Sequence, residues 1–305
     1  MISKVFPDKA LDVLDLSCVK ASFAQDKMLQ RKHVEAVIEE LTGMHLQTLS
    51  YKYLEDNLNE KIIGQTKAIH TLIESLESLE NYPHDSKPKG IYLLVGSSGV
   101  GKTQTAKELA TLLNRPLIKL DMSEYSDATG VNKIIGSSPG YVGYNDVVSL
   151  LHEITLHPHS LILLDEIEKA HIQVLHLFLQ VFDEGILKDN HHHKIAFKDT
   201  IIMMTSNVLS QNDDSVGFKK KELSIVSLQN MFSKEYLNRI DEIIPYQLLT
   251  HDDLIKILKL HAPIGLTDTM IEEMLQDYDE SLGARGIFTK MKKYLVKKSN
   301  AMTKS

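Results

Sequence analysis

Gly96-Ser97-Ser98-Gly99-Val100-Gly101-Lys102-Thr103 satisfies G-x-x-x-x-G-K-[ST] at every fixed position. In front of it, Gly90-Ile91-Tyr92-Leu93-Leu94-Val95 is a short apolar run that reads as a buried strand. Behind it, Thr103 to Leu113 is rich in helix formers and places Ala106, Leu109, Ala110 and Leu113 on one face. Strand, glycine loop and helix in that order predict a phosphate-binding turn.

The residue types fit that chemistry. Gly96, Gly99 and Gly101 let the backbone of the 96–103 loop, Ser97, Ser98 and Val100 included, curl so that N–H groups converge on phosphate oxygens. The helix that starts beside Lys102 adds the positive end of its dipole. Lys102 is expected to reach the β- and γ-phosphates of ATP, and the Thr103 hydroxyl to sit on Mg²⁺.

A second apolar run, Ser160-Leu161-Ile162-Leu163-Leu164, ends in Asp165 and Glu166. An acid at the end of a buried strand is costly unless it faces a cation or water. Asp165 is placed to hold Mg²⁺ through its water shell, and Glu166 is the candidate general base for the attacking water. Taken alone, the pair could equally be two solvated acids at a strand exit. Downstream of a phosphate loop, the catalytic reading is the stronger one.

Composition bounds the class. The chain has 305 residues, 43% hydrophobic and 25% charged, which suits one large domain plus something smaller. A net charge of −7 argues against bulk nucleic-acid binding. The single cysteine, Cys18, permits no disulfide within the chain. No apolar run approaches the roughly eighteen residues of a membrane span. The N-terminus lacks the layout of a secretory signal, so the expected compartment is the cytoplasm.

Along the chain, helices are expected over Asp8–Ala24, Arg31–Leu41 and 66–80, and residues 44–60 read as a polar connector. Asn81 to Lys89, with two prolines, reads as a loop. Candidate strands at 91–95, 117–121, 161–165, 200–205 and 243–246 alternate with helical periods, which predicts an α/β fold with a mostly parallel sheet. Residues 249–305 read as a small, mainly helical appended domain, in which Leu254–His261 gives about two turns and 297–300 a solvated tail. His191-His192-His193 reads as loop histidines, since no spaced cysteine or histidine partner accompanies it.

Further motifs follow in order: Asp121-Met122-Ser123-Glu124-Tyr125, then 136–144 (GSSPGYVGY), then Asp165-Glu166-Ile167-Glu168-Lys169-Ala170-His171. Thr205-Ser206-Asn207, 236–242 (YLNRIDE) and Leu282-Gly283-Ala284-Arg285 complete the series. Together they resemble the second ATPase module of the double-ring Clp unfoldases, a branch of the AAA+ superfamily of P-loop NTPases. Residues 6–15 resemble the end of the first module. The resemblance implies four segments: 1–43 as the end of a preceding small domain, 44–60 as linker, 61–248 as large ATPase domain and 249–305 as a shortened small domain.

The resemblance also implies roles. Asn207 would be the polar sensor for the attacking water. Arg239 would be an arginine finger acting on a neighbouring subunit's site, which implies a hexameric homo-oligomeric ring. Arg285 would be a second sensor from the small domain. Tyr141 would project into a central pore and grip unfolded polypeptide. Val216-Gly217-Phe218 would dock a Clp-type peptidase, and the lack of room for a coiled coil after 7–16 points the same way, to the peptidase-feeding, ClpA-like branch. The expected function is therefore ATP-driven protein unfolding and threading. The alternatives are a nucleotide-binding assembly subunit with little turnover, and a disaggregase without a peptidase. The chain departs from the family pattern at 145–148 and 191–193, and in the brevity of the region after Leu249.

Overall fold

The computed structural model describes residues 7–42, 50–81, 86–136, 149–208, 228–261, 267–276, 278–279 and 282–302. Tyr141 and Val216-Gly217-Phe218 lie outside them.

The five apolar runs form one parallel sheet. The strands are β1 (Gly90–Val95), β2 (Leu117–Asp121), β3 (Leu161–Asp165), β6 (Ile201–Ser206) and β7 (Glu242–Pro245), in the order β2-β3-β6-β1-β7. The register aligns Leu94 with Thr205 and Asp121 with Asp165, so the strand ends that carry chemistry share one edge. β1, β3 and β6 are buried along their whole length. That explains why they read as apolar runs up to their last residues, where β3 ends in Asp165 and β6 in Thr205 and Ser206: helices cover both faces of the sheet, so its middle needs no polar residues.

Alternate residues of each strand enter different cores. Ile91, Leu93, Ile162, Leu164, Ile202 and Met204 pack on one side, with α7 (Leu150–Leu156) and α8 (Ile172–Glu184). Tyr92, Leu94, Leu161, Leu163, Ile201 and Met203 pack on the other, against α3 (Tyr51–Lys61), α4 (Thr66–Asn81) and α5 (Lys102–Leu112). A third core is built by the helices His251–His261, Asp268–Leu275 and Gly283–Met302. At the N-terminus, α1 (Asp8–Phe23) and α2 (Arg31–Thr42) form a hairpin in which Ser17, Ala21, His33 and Val37 are buried.

Three local expectations need correction. The segment taken as a polar connector is helical from Tyr51, and Leu54 and Leu58 are buried in the second core. Tyr51 packs on the same core, so Tyr51, Leu54 and Leu58 do follow a helical spacing, but polar residues fill the rest of the segment and hide it. The helix expected over Leu254–His261 starts earlier, at His251. Thr250 and Asp253 explain the start: Asp253 Oδ2 accepts from the Thr250 amide at 3.0 Å, while Thr250 Oγ1 accepts from the Asp253 amide at 3.3 Å. Residues 297–300 continue a helix that runs to Met302 rather than trailing as a tail. In addition, a small antiparallel hairpin, β4 (Ile186–Lys188) with β5 (Lys194–Ala196), holds the histidine triplet in its turn.

The burial of α3 has a measurable consequence. Leu58→Ala is expected to lower the unfolding free energy by about 3 kcal/mol, because it opens a cavity at a fully buried position. Urea unfolding checks this; a change under about 0.5 kcal/mol would mean that α3 is a surface connector after all.

Candidate functional site

The loop between β1 and α5 is shaped by glycine. Gly99 and Gly101 have φ of 78° and 108°, a region that side-chain-bearing residues enter only at a cost. Gly101 precedes α5 and offers no side-chain cap, which leaves the first N–H groups of the helix free for an anion. Lys102 is only 6% exposed. Its ammonium donates to the carbonyls of Gly96 and Ser97, both at 2.6 Å, and to Asn207 Oδ1 at 3.0 Å. Burial pulls the Lys102 pKa down to about 8, while the carboxylates of Glu168, Asp165 and Glu166 work against that shift.

Asp165 ends β3 and is tied from three directions. Thr103 Oγ1 donates to its Oδ1 at 2.8 Å, Thr205 Oγ1 donates to the same oxygen at 2.6 Å, and the Lys119 ammonium pairs with Oδ2 at 2.7 Å. Burial alone would raise this carboxyl, but the hydrogen bonds from Lys119, Thr205 and Thr103 outweigh it and hold it below the usual carboxylate range. The oxygens of Asp165 and Thr103 are hard donors, and one carboxylate beside one hydroxyl suits an ion that keeps most of its water. The residues therefore fit Mg²⁺.

Glu166 turns the chain with φ 59° and ψ 53°, a left-handed conformation that a glutamate adopts only under constraint. The constraint is visible: its amide donates to Thr205 Oγ1 at 2.9 Å. Its Oε1 accepts from Asn207 Nδ2 at 3.2 Å, and its Oε2 pairs with Lys169. Asn207 is itself oriented by its amide, which donates to Glu168 Oε1 at 3.0 Å. Glu166, Asn207 and Lys102 thus form one connected set at the carboxyl ends of β3 and β6.

The helical region that builds the third core reaches this set. The amide of Ala284 donates to the Gly99 carbonyl at 2.9 Å. A Cβ on Gly283 would stand 2.8 Å from that same carbonyl, so the contact demands glycine. Arg285 follows immediately and lines a cleft of about 490 Å³ together with Gly99, Lys102, Thr103, Asp165 and Glu166. The opposite wall is apolar, with Ile62, Ile63, Leu249, Ile257 and Phe288, and the rings of His261 and Phe288 meet edge to face at 5.2 Å. Such a wall suits a flat heteroaromatic base. Gln65 buttresses it, donating to the Val100 and Gln247 carbonyls at 3.2 and 2.8 Å.

Arg239 stands apart and does not line the cleft. It follows the short helix Lys234–Leu237, pairs with Asp183 at the end of α8, and lies 4.0 Å from Glu235. Within one chain it does not meet the other predicted site residues. In the histidine turn, His191 and His193 amides donate to Asp189 Oδ1, both at 2.8 Å. No group of three His, Cys, Asp or Glu side chains among the described residues is arranged to hold a metal.

Sequence reasoning missed Lys119, Thr205 and Glu168 as parts of this network. Thr205 and Glu168 lie inside quoted motifs, so position could have flagged them. Lys119 carries no motif signal, because its partner Asp165 is on another strand. The apolar wall was also missed, since its members come from 62–63, 249–261 and 288.

Comparison with known proteins places these features. Residues 87–243 match the family model described as AAA domain (Cdc48 subfamily). Over 276 residues the chain is 37% identical to the ATP-dependent Clp protease ATP-binding subunit ClpE of Bacillus subtilis (strain 168), covering 85% of this chain and 38% of that protein. Over 258 residues it is 40% identical to the chaperone protein ClpB of Chlamydia muridarum, covering 76% of this chain and 30% of the relative. A closed-state cryo-EM reconstruction of Hsp104 with ATPγS and FITC-casein superimposes with a TM-score of 0.83 at 27% identity, over 98% of this chain and 57% of that one. The chain therefore spans well under two thirds of each of these proteins.

Proposed function

The chain belongs to the AAA domain family (Cdc48 subfamily) and resembles the Clp-type ATP-binding subunits, and on that premise we propose that it is an ATP-hydrolysing module that unfolds and threads polypeptide as part of a ring. The observation that carries the reading is the connected set of Lys102, Asp165, Glu166 and Asn207 at one sheet edge, with Arg285 brought in from the small helical segment. ATP would lie with its base against the Ile62–Phe288 wall and its phosphates on the 96–103 loop. Thr103 and Asp165 would hold Mg²⁺, which when bound neutralises charge on the β- and γ-phosphate oxygens. Glu166, oriented by Asn207, takes the proton of the attacking water. Arg285 and Lys102 would balance the charge that builds on the γ-phosphoryl oxygens and on the β-phosphate of the departing ADP.

Arg239 is the residue that argues for more than one copy. It is half-buried and does not line its own cleft, which is compatible with a finger serving a neighbour. Ring assembly, a pore at Tyr141 and polypeptide as substrate are further parts of this reading; the likeness to an Hsp104 reconstruction that carries casein supports the last of them. Docking of a Clp-type peptidase through Val216-Gly217-Phe218 is the finer part of the proposal. The likeness to ClpB and Hsp104 favours a second reading, a chaperone that works without a peptidase. Phe218→Ala separates the two, since only the first reading has peptidase binding to lose.

The test of the module itself is complementation. Arg239→Ala alone is expected to keep nucleotide binding and lose about a thousandfold in turnover. Mixed with Glu166→Gln subunits, it should regain activity, because each partner supplies the group that the other lacks. Two inactive proteins that stay inactive together, and sediment as monomers with a slowly hydrolysed ATP analogue, would overturn the ring mechanism.

A further inference from the structure

We propose that Lys119 sets the affinity of the site for its divalent cation by competing with that cation for Asp165; this rests on the reading of Asp165 and Thr103 as the cation-holding pair. Both oxygens of Asp165 are engaged. Oδ1 takes the hydroxyls of Thr103 and Thr205, and Oδ2 takes the Lys119 ammonium at 2.7 Å. The two kinds of partner are not equivalent. A hydroxyl is neutral, and its oxygen can turn to accept or to ligate. An ammonium only donates and brings a full positive charge.

The fold places Lys119 where this competition is unavoidable. In the parallel pair β2–β3, Lys119 is opposite Leu163 and Asp121 is opposite Asp165. Lys119 therefore shares the face of Asp165, two residues back from the acidic strand ends, and its four-carbon stem carries the charge forward to the carboxylate. The Lys119 side chain is 39% exposed and lines the cleft, so its head stands at the water boundary where a hydrated ion would arrive. Two other cations nearby are committed elsewhere: Lys102 to the loop carbonyls and Asn207, and Lys169 to Glu166. Asp121 is the second acid within reach of Lys119, and offers it an alternative partner when Oδ2 is released. Lys119 thus keeps Asp165 neutralised until a metal-nucleotide pair displaces it, and weakens a cation that comes without the phosphates to help it.

Mn²⁺ provides the direct readout. The full chain is mixed with a slowly hydrolysed ATP analogue, Mn²⁺ is titrated in, and the free ion is followed by electron paramagnetic resonance. Lys119→Met is expected to bind Mn²⁺ about tenfold more tightly than wild type, because a like charge has gone from a partly shielded site. Lys119→Arg, which keeps the charge, should stay near wild type, and Lys119→Gln should follow Met. Mn²⁺ affinity that is unchanged or weaker in both neutral variants overturns the inference. Asp165→Asn distinguishes the two levels of the argument. If it weakens Mn²⁺ binding while the lysine variants do nothing, Lys119 alone is excluded. If Asp165→Asn leaves Mn²⁺ binding intact, the cation-site reading falls and the role of Lys119 falls with it.

Discussion

Glu166→Gln is expected to lower ATP turnover about a thousandfold while nucleotide affinity stays within about twofold of wild type, the size of effect that removing a general base has. Glutamine keeps the shape of the side chain and can still pair with Asn207, whose amide meets Glu166 Oε1 at 3.2 Å. It cannot take a proton from water. The left-handed turn at Glu166 is held through its backbone amide, so it is preserved. Lys169 loses its charged partner, but that pair is at the surface and is worth little to stability. Single-turnover hydrolysis and equilibrium binding of a fluorescent nucleotide separate the two quantities. Turnover within about tenfold of wild type would remove Glu166 from the role of base and leave it a structural acid.

Lys102→Met is expected to weaken ATP binding about a hundredfold, because charge-assisted hydrogen bonds to buried phosphate oxygens are lost. The same substitution should leave thermal stability unchanged or raise it slightly. Lys102 is nearly fully buried and its charged form is disfavoured there, so the fold bears a cost for holding that ammonium in place. Opposite signs for binding and stability are the signature of a functional residue. A variant that still binds ATP within about threefold of wild type, or one that melts well below it, would point to a lysine kept for packing instead.

Much of the sheet was legible because its logic is local in sequence. Each of β1, β3 and β6 is an apolar run between polar segments, and burial on both faces removes the need for any polar residue within it. The turn at 96–103 was legible because its glycines answer to backbone geometry that few other residues can supply. The helix α3 reads as a connector because polar residues dominate 51–61; which core its Tyr51, Leu54 and Leu58 enter is decided by α4 and α5, elsewhere in the chain. Lys119 was missed for the same reason, since its meaning comes from Asp165 on the adjacent strand. Arg285 was assigned by resemblance; what seats it is the backbone contact between Gly99 and the Gly283–Ala284 turn.

From residue order alone came the strand–loop–helix at 90–112, the parallel sheet, the acids at the end of β3 and the chemistry they imply. Those features are encoded in windows short enough for periodicity, glycine placement and desolvation cost to act directly. The tertiary structure alone decided that Asp165 is shared among Thr103, Thr205 and Lys119, that Asn207 links Glu166 to Lys102, and that Arg239 pairs with Asp183 outside the cleft. Hydrogen bonds and charge pairs act over a few ångströms in space, between residues that lie tens to more than a hundred positions apart in the chain. Their partners exist only once the sheet has brought its strand ends to one edge.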